Sequence, residues 1–142
     1  MKQTPFKKVG VSTVPMYGPR AVLICGYAAT EHPALLEVFN RIKAPSLPLI
    51  FATRDDGAMT LSDLLARPDR SGTDGEPGQT RAIILSGITE DELHRILGAY
   101  RAGGLSRPLW ATLTPTSENW PLSELLAELD AERRAMENQK QS

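Results

Sequence analysis

The sequence predicts an α/β fold in which two β-α-β-α units share one sheet of about four strands, covered by helices and related by a pseudo-twofold axis. Three observations carry that expectation. First, a shift of 61 residues lays RAVLICGY (Arg20 to Tyr27) on RAIILSGI (Arg81 to Ile88), and Leu35, Leu36 and Phe39 on Ile96, Leu97 and Tyr100. With one deleted and one inserted position, Pro48-Leu49-Ile50 meets Pro108-Leu109-Trp110, and GAMTLSDLL (Gly57 to Leu65) meets ENWPLSELL (Glu118 to Leu126). Second, both copies alternate short apolar runs with stretches of helical spacing, the pattern of strands joined through crossover helices. Third, a unit of about 45 residues is near the size at which a lone core becomes insufficient, so the halves are expected to complete one interior.

The elements follow in order. Residues 1–19 are polar and broken by Pro5, Pro15 and Pro19, with KKVGVSTV a candidate edge strand. Arg20 to Cys25 is an apolar, β-branched run suited to a strand buried on both faces, and Gly26 ends it. Leu35, Leu36, Phe39 and Ile42 recur at helical spacing until Pro45 and Pro48 break the pattern. Leu49 to Thr53 reads as the second strand, and Thr60-x-x-Asp63 as a capping box ahead of a short helix, closing the first copy at residue 66. Residues 67–80, RPDRSGTDGEPGQT, have the composition of an exposed, mobile linker. The second copy, residues 81–137, repeats the order with strands at Arg81 to Ser86 and Leu109 to Thr114. Its helices are expected over Thr89 to Ala102 and Pro121 to Met136, and residues 138–142 are expected to fray. Whether the two central strands meet parallel or antiparallel is open at this level.

Composition narrows the function classes. Of 142 residues, 41% are hydrophobic and 23% charged, as in an ordinary globular protein. A net charge of −1, from 16 basic and 17 acidic side chains, argues against nucleic acid or an anionic membrane as partner. Cys25 is the sole cysteine, so neither an internal disulfide nor a zinc thiolate cluster can form. AVLIC is far too short to span a bilayer, and no apolar stretch follows the N-terminal lysines, so a cytoplasmic address is expected.

Each chemical candidate has a plain structural alternative. Cys25 ends a buried strand just before a helix, where a thiol can be acidified into a nucleophile; as a small core filler it needs no further role, and its counterpart is Ser86. His32 and His94 do not occupy matched positions and lack metal-ligand spacing, so surface or capping roles fit better. Gly26 and Gly87 each link a strand to a helix without a second glycine. Glu31 and Glu90 to Glu92 place negative charge at those helix starts, which favours turn glycines over a phosphate loop. Asp55-Asp56 and Glu90-Asp91-Glu92 have the chemistry to hold a hard cation, but acidic residues before helices are common and neither run has an EF-hand pattern. No metal and no cofactor are expected. Asn119 is expected to cap the last helix, with Pro121 in its first turn and Trp120 anchoring the helix start on the sheet, as Met59 does in the first copy. Thr114, Thr116 and Ser117 remain, hydroxyls at a strand's carboxyl end, where α/β sheets bind ligands. The candidate ligand site is a shallow pocket shared by Thr114, Thr116, Ser117 and Asn119 with Thr53, Arg54 and Asp55 of the other copy.

The residues Gly87, Thr89, Glu90, Glu92 and Leu93, followed by Leu109 or Leu113, Thr114, Thr116, Asn119, Trp120, Leu122, Leu125 and Leu126, form a signature. Residues 81–130 resemble, through that signature, the bacterial family known as domain of unknown function 3783. Residues 20–65 look like a degenerate copy, with Ala58 and Met59 at the Asn and Trp positions. The resemblance implies a domain type and carries no activity or catalytic residues. The favoured expectation is a non-enzymatic module that binds an unidentified protein or itself as a homodimer, with Leu125, Leu126, Leu129 and Met136 striping its last helix. A small-molecule sensor with its pocket at the strand ends is the alternative, and an enzyme using Cys25 comes third.

Overall fold

A computed structural model describes residues 14–44 and 46–141. The first unit comprises β1 (Ala21–Cys25), α1 (His32–Arg41), β2 (Leu49–Phe51) and α2 (Leu61–Leu65). The second comprises β3 (Ala82–Ser86), α3 (Glu90–Ala102), β4 (Leu109–Thr112) and α4 (Leu122–Gln141). The expected α/β class and the expected order of elements are both present, in one sheet of order β2-β1-β3-β4.

β1 runs parallel to β2 and β3 parallel to β4, as crossover helices dictate, but β1 and β3 meet antiparallel. Their register runs from Ala21↔Ser86 to Cys25↔Ala82 about the central pair Leu23↔Ile84. Every residue of both strands is buried, which is why each reads as an unbroken apolar run instead of an alternating one.

Side-chain alternation divides the interior into two layers. Val22, Ile24, Ile83 and Leu85 pack with Leu35, Val38, Phe39, Ile96 and Tyr100 of α1 and α3. Ala21, Leu23, Cys25, Ala82 and Ile84 face Leu61, Leu64, Leu122 and Leu125 of α2 and α4. Each fully buried Leu or Ile here contributes about 1.5–3 kcal/mol.

Two cross-unit ion pairs fasten the central strands to the opposite helices. Arg20, just before β1, donates to both carboxylate oxygens of Glu92 in the first turn of α3, at 2.8 and 2.7 Å. Arg81, just before β3, donates to both oxygens of Glu31 at 3.2 and 2.9 Å and stacks 4.2 Å over the Tyr27 ring. The acidic helix starts are therefore consumed by arginines from the other unit. Glu92 also closes the expected capping box with Thr89.

Several expectations need correction. The registers place Val22 opposite Leu49 and Ile83 opposite Trp110, so Leu49 corresponds to Trp110, not Leu109, and the 61-residue shift needs no gap in the strands. β2 and β4 stop at Phe51 and Thr112, short of Thr53 and Thr114, because those threonines open tight polar turns. Residues 67–80 are not a free linker: Arg70 N–H donates to Leu49 C=O, Phe51 N–H to Ser71 C=O, and Leu49 N–H to the Asp69 carboxylate. These bonds seal the outer edge of β2. Pro121 precedes α4 and bridges Thr60, and Asn119 ends a 3₁₀ turn instead of capping the helix. Where fraying was expected, α4 continues to Gln141, supported by pairs from Arg133 to Asp130 and Glu137. Most of KKVGVSTV lies outside the described residues; Pro15 makes an isolated bridge to Thr89.

The Arg20 guanidinium holds the Glu92 carboxyl down at about 2, from an ordinary value of 4.5. A depressed carboxyl stabilises the fold above its unfolded value and loses that contribution as pH falls towards the folded value. Glu92→Gln is expected to lower stability at pH 7 by about 2–3 kcal/mol. Urea unfolding from pH 7 down to pH 2 should then show a shallower acid loss in the variant than in the parent chain. Identical acid profiles would contradict the assignment.

Candidate functional site

The two strand-end loops form by the same local chemistry. After β2, Thr53 donates from its N–H and its hydroxyl to the Asp56 carboxylate, at 2.8 and 3.0 Å, closing a 3₁₀ turn over Arg54–Asp56. After β4, Thr114 N–H donates to Ser117 Oγ at 3.1 Å and Ser117 N–H to Thr114 Oγ1 at 3.0 Å, closing the turn over Ser117–Asn119. Arg67 clamps Asp56 with two bonds of 3.0 and 3.1 Å. Burial alone would push the Asp56 carboxyl up, but the Arg67 and Thr53 bonds outweigh it and hold the group below the ordinary aspartate range.

These bonds account for Thr53, Thr114 and Ser117, three of the expected ligand hydroxyls. Arg54 pairs with Glu76 at 2.9 Å on the surface, while Asp55, Thr116 and Asn119 are exposed. The structure does not bring the Thr53 and Thr114 turns together. Since β1 and β3 are antiparallel and each outer strand follows its neighbour, the carboxyl ends of β2 and β4 lie at opposite ends of the sheet. Thr53 and Arg54 instead border a pocket of about 260 Å³ with Cys25, Gly26, Thr80 and Ser123. None of the β4 loop residues lines it.

Beyond the sheet and the two ion pairs, main chain also joins the two units. Leu61 N–H donates to Trp120 C=O at 3.1 Å and Leu122 N–H to Met59 C=O at 2.8 Å, flanking the Thr60–Pro121 bridge. Trp120 and Met59 both pack half-buried against the α2/α4 layer, as the anchor reading expects. Gly26 and Gly87 have φ of +78° and +64°, and a Cβ there would stand 2.3 Å from Thr80 O and 2.5 Å from Gly18 O. Turn chemistry explains both glycines.

The other candidates have structural partners. Cys25 is 3% exposed, and burial, with the Asp56 charge, pushes its thiol up to about 12. His32 packs its ring 4.3 Å from that of Phe51, and its Nε2 lies 3.3 Å from Tyr27 O. Asp91 pairs with Arg95. Among the described residues, no three His, Cys, Asp or Glu side chains stand together as a metal site would require. No helix among them is long and apolar enough to cross a membrane.

A larger concavity of about 830 Å³ was not foreseen. It lies between the start of β4, from Arg107 to Trp110, and the outer half of α4, from Leu129 to Glu137. Met136 on its helical wall is 60% exposed. The helical stripe ending at Met136 was legible in the sequence. Arg107, in a loop, carried no signal.

The buried thiol yields a direct test. Iodoacetamide is expected to modify Cys25 in the native chain more than about tenfold more slowly than in the urea-unfolded chain at pH 8, since the thiolate is the reactive form. Equal rates would restore the nucleophile reading.

No curated protein and no solved structure matches the chain. One family model does, over residues 81–136, which run from the start of β3 to Met136 of α4. Through those residues the chain is similar to the family described as domain of unknown function (DUF3783).

Proposed function

We propose that the chain is a non-enzymatic module that binds another protein or a second copy of itself. The observation supporting this most directly is α4, whose residues 131–139 are all exposed although the helix is long and continuous. A helix that serves only to cover its sheet has no need of this outer half. The hydroxyls expected to hold a ligand are engaged in their own turns, and the thiol is buried and protonated, which weighs against enzyme chemistry.

We infer also that the two units arose by duplication and are related by a pseudo-twofold axis. Its support is reciprocity at the constant offset of 61. Arg20–Glu92 answers Arg81–Glu31, and Leu61–Trp120 answers Leu122–Met59. The family match, confined to residues 81–136, corresponds to one such unit. The same reading sets the protein in a bacterial cytoplasm, on the family resemblance and on a buried free thiol that suits a reducing compartment.

A second reading, a small-molecule sensor, draws on the pocket of about 260 Å³ beside Thr53 and Arg54. Two measurements separate the readings. Immobilised full-length chain is expected to retain either itself or a defined protein whose binding is reproduced with purified components. A thermal-shift screen of nucleotides, amino acids and inorganic anions is expected to give no stabilisation. Stabilisation by a metabolite, together with no protein binding, would replace the module with the sensor.

A further inference from the structure

We infer that the groove between the start of β4 and the outer half of α4 receives a second copy of this chain, in a twofold dimer. The inference rests on the module reading and names its partner. The groove combines apolar surface from Leu109, Leu129 and Met136 with three guanidinium groups and three carboxylates. A partner of strongly acidic or basic character would be matched by a surface of one sign. A wall carrying both signs in equal number matches its own copy, because a twofold contact presents the same patch to itself.

The pairing pattern inside the groove sharpens this. Arg81 is engaged with Glu31, and Arg133 with Asp130 and Glu137. Arg107 and Glu132 remain, and among the described residues neither makes an ion pair. One unpaired cation on the sheet side and one unpaired anion on the helix side are the complement a twofold axis uses. Each copy's Arg107 meets the other's Glu132, giving two equivalent pairs around the apolar contact of Met136. A chain charge of −1 adds little repulsion between copies.

The outer edge of the sheet agrees. β2 is sealed by residues 69–71, whereas β4 is the last strand of the sheet. Leu109 and Leu113 donate towards β3, so Trp110 and Thr112 turn their main-chain groups outward.

Sedimentation equilibrium on the full chain tests the inference. The parent is expected to dimerise, and Met136→Arg to weaken the dimer more than about tenfold. Arg107→Glu and Glu132→Arg are each expected to weaken it about three- to tenfold, and the double variant to recover most of that loss, since both reciprocal pairs are rebuilt with signs exchanged. All three side chains are exposed, and an unchanged circular dichroism spectrum confirms folding. A parent that stays monomeric at about 1 mM overturns the inference, while binding of a purified foreign protein would still uphold the module reading. A dimer indifferent to Met136→Arg and to both charge reversals also overturns it, because self-association would then use another face.

Discussion

The antiparallel ladder between β1 and β3 is the constraint from which the rest of the structure follows. Both strands are buried on both faces, so their main-chain polar groups have no water to turn to. Each must find its hydrogen bonds in neighbouring strands, and the pairing centred on Leu23 and Ile84 supplies one complete side of both. Had these strands met parallel, the carboxyl ends of all four would have faced one way, and a ligand crevice at that end would have been available. Meeting antiparallel, they send the Thr53 turn and the Thr114 turn to opposite ends. The separation of the Thr53 and Thr114 turns follows from strand direction alone, whatever side chains the loops carry.

The ion pairs at the two ends of this ladder make its register specific. A slip of one residue would exchange the faces of the five side chains of the strand that slips. Apolar residues fill both faces, so hydrophobicity alone penalises such a slip weakly. Arg20 and Arg81 penalise it strongly, because each must reach a glutamate fixed in the first turn of a helix from the other unit. Glu92 is nearly buried and accepts from both Arg20 and the Thr89 main chain, so separating that pair strands a charge. The acidic helix starts that look in sequence like dipole compensation also act as alignment pins.

The two edges of the sheet are treated differently, and the difference directs attention to α4. After α2 the chain has residues 67–80 with which to close β2, and Asp69, Arg70 and Ser71 do so. After β4 the chain passes through the Ser117–Asn119 turn into α4. That helix buries Leu122 and Leu125 on the sheet and then continues into solvent. Its charged residues pair along the helix, which keeps the exposed half helical without a core beneath it.

The sequence by itself determined the local elements. Short apolar runs, period-3.6 patterns, capping threonines and turn glycines act over a few residues, so β1, β3, α3, the Thr60 cap and the Thr89 capping box were legible with small errors at their ends. The anchoring of Trp120 and Met59, the single sheet and the α/β class were legible for the same reason, as consequences of apolar pattern. The direction in which β1 meets β3, the sealing of β2 by an apparently loose segment and the partners of Arg20 and Arg81 were decided only by the tertiary structure. Each depends on groups tens of residues apart satisfying one another's hydrogen bonds and charges, and a single chain of letters records no distances. The candidate ligand site illustrates this: Thr53 and Thr114 follow their strands as read, but strand direction, a property of the assembled sheet, places them apart.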